Sequence, residues 1–82
     1  MASKAIINYA IARGISLNAV GDTLKIELTE NIYVEYFKCR GAGHCFKSAS
    51  NNFKAEVKEE LPGWIQNDKQ LKAVVNFLSS YH

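Results

Sequence analysis

Residues 15–36 read ISLNAVGDTLKIELTENIYVEY, a stretch that can be paired as three strands in one register that suits every side chain. With Gly21-Asp22 as a two-residue turn, Ile15 faces Leu28, Leu17 faces Ile26 and Ala19 faces Leu24. Ser16, Asn18 and Val20 then share the other face with Glu27, Lys25 and Thr23, whereas a slip of one residue would set leucine against lysine. The next pairing agrees if Thr29-Glu30-Asn31 is a three-residue loop with Asn31 in the left-handed conformation that asparagine tolerates. Ile32, Val34 and Tyr36 join the apolar face, and Glu35 falls beside Lys25 as an opposite-charge pair.

Helices are expected on either side of this meander. Ser3 can cap a helix with the stripe Ile6, Ile7, Ala10 and Ile11, and Gly14 stands where a left-handed C-terminal cap belongs. Beyond the meander, Cys39-Arg40-Gly41-Ala42-Gly43-His44-Cys45 reads as a glycine-rich turn into a fourth strand over 44–48. Asn51-Asn52 offers a cap for a helix carrying Phe53, Val57 and Leu61 and ended by Pro62-Gly63, with Lys54, Glu56, Lys58, Glu59 and Glu60 as its solvated face. Trp64 is expected to bury against the helices. Asn67 or Asp68 caps a last helix whose stripe is Leu71, Val74, Val75, Leu78 and Tyr81. The fold class is α+β: a helix, an antiparallel three- or four-stranded meander, then two C-terminal helices, in a single domain over 1–82.

Ten basic against eight acidic residues give a net charge of +2, well short of the basic stripe of a dedicated nucleic-acid binder. No apolar run reaches the roughly 18 residues that span a bilayer. The first residues lack a secretory signal pattern, so a cytoplasmic protein without a membrane partner is expected. In a reducing cytosol Cys39 and Cys45 are ordinary half-buried thiols, although a Gly41-Ala42-Gly43 loop would set them opposite each other at bridging distance. Zinc would need four ligands, and only Cys39, His44 and Cys45 cluster, so no metal and no cofactor are expected.

No cysteine has a base oriented onto it, and no carboxylate pair, nucleophile elbow or phosphate-binding glycine loop before a helix occurs, so no catalytic residue is assigned. Lys38, Arg40 and Lys47, with His44, form a basic hairpin with Tyr33 and Phe37 close by, the ingredients of single-stranded nucleic-acid binding. The simpler expectation buries Tyr33 and Phe37 beneath the second helix. The candidate partner-binding residues are therefore Ser16 and Asn18 on the edge strand and Lys38, Arg40, His44 and Lys47 on the hairpin.

Ala12-Arg13-Gly14-Ile15-Ser16-Leu17, followed by Gly21-Asp22-Thr23-Leu24-Lys25-Ile26, resembles the opening of the N-terminal docking domains of tubulysin-type peptide and polyketide synthases. That resemblance covers about the first third of the chain and implies binding of a partner's tail along an exposed hairpin edge. The expected function is a small non-catalytic protein-binding module, an adaptor or an inhibitor of the phage or mobile-element type. Its alternative is a single-stranded nucleic-acid binder using the hairpin 38–47.

Overall fold

A computed structural model of the chain describes residues 3–39 and 43–81. Helix α1 (Lys4–Ile11) is followed by β1 (Ser16–Val20), β2 (Thr23–Glu27), β3 (Tyr33–Lys38) and β4 (His44–Ala49), then α2 (Ala55–Glu60), β5 (Trp64–Ile65) and α3 (Asp68–Tyr81). The five strands form one antiparallel sheet in sequence order. The expected meander of three or four strands therefore gains a fifth, two residues long, between the last two helices. Its shortness hides it from any alternation test, and only Ile65 carries its inward signal.

The pairing across residues 15–36 holds. Leu17 faces Ile26 and Ala19 faces Leu24, and across the next ladder Ile26 faces Val34 and Leu24 faces Tyr36. Two expectations within this stretch need correction. No described non-glycine residue has positive φ, so Asn31 is not left-handed. Thr29 closes that loop instead, its Oγ1 accepting from the N–H groups of Asn31 (3.3 Å) and Ile32 (3.1 Å). Lys25 and Glu35 do lie opposite each other, but Lys25 Nζ approaches Glu27 (3.9 Å) and Glu35 accepts from the Ser48 hydroxyl (3.2 Å). A register shift at Glu35/Tyr36 makes Lys47 an extra residue of β4, a bulge that turns Ser48 toward Glu35.

Ser3 caps α1, accepting from Ile6 N–H, and Asn67 caps α3, accepting from Gln70 N–H (2.9 Å). Asn51-Asn52 is not a cap: it forms a turn, and α2 starts after Lys54 without a side-chain cap. Ile6, Ala10, Phe53, Val57, Leu61, Leu71, Val74, Val75 and Leu78 bury with Ile15, Leu17, Leu24, Ile26, Val34, Tyr36 and Ile65 in one core. Ile11 departs from its expected stripe and is 61% exposed. The Tyr81 side chain lies outside the described part. Burial pushes the Tyr36 phenol up to about 12, and its hydroxyl donates to the Pro62 carbonyl (2.7 Å), tying the core to the approach to β5.

Helices α1 and α3 lie side by side and parallel. Ser3 bonds Asp68, Tyr9 and Arg13 both donate to Asn76 Oδ1 (2.8 and 3.0 Å), and Ser79 donates to the Arg13 carbonyl (3.3 Å). Arg13 also stacks on the Tyr9 ring at 3.6 Å. No outward-facing strand residue belongs to the buried core, so the helices cover one face of the sheet and leave the other uncovered.

Candidate functional site: an uncovered sheet face and its edges

Register alone builds a row across the uncovered face. Val20 pairs with Thr23, Thr23 with Phe37, Phe37 with Cys45 and Cys45 with Trp64, so one line of side chains crosses all five strands. Among the described residues the large apolar side chains left exposed are Ile11, Val20 (75%), Phe37 (42%) and Trp64 (48%), and three of these four stand in that row. The expected burial of Phe37 and Tyr33 beneath α2 is thus overturned: Phe53, Val57 and Leu61 find their surface in the single core on the opposite face. Trp64 is likewise half-exposed rather than buried, because its neighbour Ile65 takes the inward position of β5.

Cys39 and Cys45 are joined in a disulfide, with Cα atoms 5.9 Å apart, which corrects the expectation of two thiols. They are not directly opposite, since Cys45 pairs with Phe37. Cys39 lies two residues further along the same face, a diagonal still within reach of a bridge. Gly43 supplies the turn with φ +101°, and a side chain there would run into the Ile65 carbonyl oxygen and stand 2.9 Å from Trp64 Nε1. The glycine is what lets β5 lie against this hairpin.

The other rows of the face are polar and of mixed charge. Asn18 donates to Glu27 Oε1 (2.8 Å), and Lys25 stacks over the Tyr33 ring at 4.3 Å, with Glu35 beside it. The candidate residues do not converge on one site. Ser16 and Asn18 lie on β1, three strand spacings or about 14 Å from β4. Lys38 and His44 pair across the far end of β3 and β4 in the same inward alternation as Tyr36 and Ile65, while Lys47 is exposed at the bulge. Arg40 lies outside the described residues. His44 Nδ1 is buried without a hydrogen-bond partner, and burial, with the charge of Lys38 acting in the same sense, holds the imidazole below its ordinary pKa.

A shallow cavity of about 340 Å³ opens between β5 and α3, lined by Pro62, Trp64, Ala73, Val74 and Phe77 with Glu60 and Gln70 at its rim. Among the described residues no three His, Cys, Asp or Glu side chains gather as a metal site, and no helix is long and apolar enough to cross a membrane. Sequence reasoning missed the apolar row. Its signal was present in the register: once Val20, Thr23 and Phe37 are aligned, the residue facing Cys45 completes it. The chain matches no known family, no curated protein and no solved structure.

Proposed function

We propose that this chain is a non-catalytic protein-binding module, of the adaptor or inhibitor kind, that docks a partner protein on the uncovered face of its sheet. The observation that carries the reading is the row Val20, Phe37 and Trp64, which gathers exposed apolar side chains across the uncovered face and ends at β5, where Trp64 also borders the cavity against α3. Tryptophan and aromatic anchors flanked by polar residues are the usual composition of a protein-binding patch. The docking-domain resemblance of residues 12–26 points the same way, since it too implies a protein partner.

Nucleic-acid binding is the weaker reading on two grounds. Glu27 and Glu35 share the aromatic face with Lys25, and Lys38 and His44 alternate toward the other side, so phosphate-binding charge and stacking rings are not presented together. The disulfide also supports an oxidising compartment over the cytosol, where glutathione would keep the pair reduced.

Affinity capture from the native host, followed by calorimetry with the identified partner, tests the proposal. Phe37→Ser combined with Trp64→Ser should weaken binding about 30-fold or more while the circular dichroism spectrum is kept, and Phe37→Ser alone serves if the pair unfolds. Neutralising Lys38, Arg40 and Lys47 together should leave the affinity within a few-fold. Tight, salt-sensitive oligonucleotide binding that vanishes in that triple variant would overturn the proposal in favour of nucleic acid.

A further inference from the structure

We propose that two copies of this chain associate through β1, antiparallel about Asn18, to form one continuous ten-stranded sheet. Natural sheets protect a terminal strand by shortness, charge, proline or a bulge, because its outward N–H and C=O groups are a template for further pairing. Strand β1 has none of these. It runs five residues, its register with β2 is unbroken, and residues 14–21 contain neither a charge nor a proline.

The free backbone groups can be assigned. A two-residue turn makes Val20 and Thr23 a hydrogen-bonded pair, so Val20, Asn18 and Ser16 direct their N–H and C=O groups at β2 while Leu17 and Ala19 direct theirs outward. Ile15, next in the outward series, already donates its N–H to the Ala10 carbonyl (2.9 Å). The open stretch is therefore centred on Asn18. An antiparallel partner related by a two-fold axis there pairs Leu17 with Ala19 of the second copy and Ala19 with Leu17 of the second copy, through four backbone hydrogen bonds.

Side chains fit that register. Leu17, large and buried at the edge, meets the small exposed Ala19 of the second copy, and Ser16 meets its Val20. In α1, Tyr9 faces α3, as does Arg13 just beyond the helix, and Ile6 and Ala10 face the sheet, which leaves Ile7 and Ile11 on the flank away from α3, above the β1 edge. Ile11 and Val20, two of the exposed large apolar residues, thus border the edge on opposite sides of the sheet. In this register only Asn18 meets its own copy, and with no charge over 14–21 no like-charge pair opposes the two-fold contact. The pairing uses the strand edge and leaves the apolar row of each copy on the continuous outer face, so it stands apart from the docking proposal.

Sedimentation equilibrium of the whole chain from micromolar to millimolar concentration tests it. The wild-type protein should show a mass that doubles reversibly with concentration. Ala19→Pro, which removes an outward N–H at a position where an edge strand tolerates proline, should be a folded monomer. Ser16→Lys with Val20→Lys sets lysine against lysine across the two-fold and should raise the dimer Kd at least about tenfold. Ser16→Lys with Val20→Glu sets lysine against glutamate and should restore the wild-type Kd within a few-fold. That charge pair decides the matter even if Ala19→Pro fails to fold, and Phe37→Ser should leave dimerisation unchanged. A wild-type chain that stays monomeric throughout overturns the proposal and leaves the edge to a strand of another protein. A dimer indifferent to the two-lysine variant overturns it in favour of a different interface.

Discussion

The two edges of the sheet are finished in opposite ways. β5 has two residues, follows Pro62-Gly63 and is seated against the bare backbone of Gly43, with the Gly63 carbonyl accepting from Phe46 N–H (2.9 Å). Brevity, proline and a closely fitted hairpin leave it little to offer an incoming strand. β1 is unbroken in register, uncharged and more than twice as long. One chain thus holds both a protected and an unprotected edge, so the unprotected one is not explained by a general inability of this fold to close its sheet. The difference locates where a partner's backbone can add, just as the uncovered apolar row locates where a partner's surface can rest.

The comparison can be broken most forcefully at the residues that anchor each edge to the core. Leu17→Ala on β1 and Ile65→Ala on β5 should each cost about 2 to 5 kcal/mol in chemical denaturation. If β1 is an interface, the wild-type midpoint rises with protein concentration, so the loss at Leu17→Ala should grow with concentration and the loss at Ile65→Ala should not. The turns come next. Gly43→Ala forces a Cβ against β5 and should cost roughly 2 kcal/mol or more, while Gly21→Ala, with φ +59° but open space, should cost about 1 kcal/mol. Equal losses at the two glycines would show that β5 is not seated on Gly43.

Replacing Cys39 and Cys45 by serine removes a short loop closure worth about 2 kcal/mol, and wild-type protein under reductant should lose the same amount. The smallest effect concerns His44. Its folded pKa lies below the ordinary 6.5, so the unfolded chain takes up the proton first; stability is full above that value and declines as pH falls through it toward the lowered folded pKa. His44→Gln should flatten the decline in a pH series of denaturation midpoints, and an unchanged slope would contradict the burial of Nδ1.

Legibility in the sequence followed the range of the interactions. The register of 15–36 was readable because alternation and turn length fix it jointly, and a one-residue slip would have exposed every leucine. Capping by Ser3 and Asn67 was readable because it is settled within one turn of helix. The fate of Trp64 was not, since it depends on which of two adjacent apolar residues faces inward in a strand too short to show a period. The bridge between Cys39 and Cys45 was visible as geometry and discounted on an assumed compartment. The uncovered face was missed because burial under α2 was inferred from the need of Phe53, Val57 and Leu61 for a surface, and α1 and α3 left room for them on the other side.

The parallel contact between α1 and α3 bears on the order of events during synthesis. Every strand precedes α3 in the chain, yet Leu71, Val74, Val75 and Leu78 complete the cover over Leu24, Ile26, Val34 and Tyr36. A nascent chain that has already emitted its hairpins must hold an apolar sheet face uncovered until the last helix emerges, together with the unprotected strand at its edge. Premature chains ending before residue 68 should therefore be prone to associate on the ribosome or with a holdase chaperone. Slowing translation over the α3 codons would lengthen that exposure, which makes the yield of soluble protein sensitive to the pace of its final helix as well as to the stability of the finished fold.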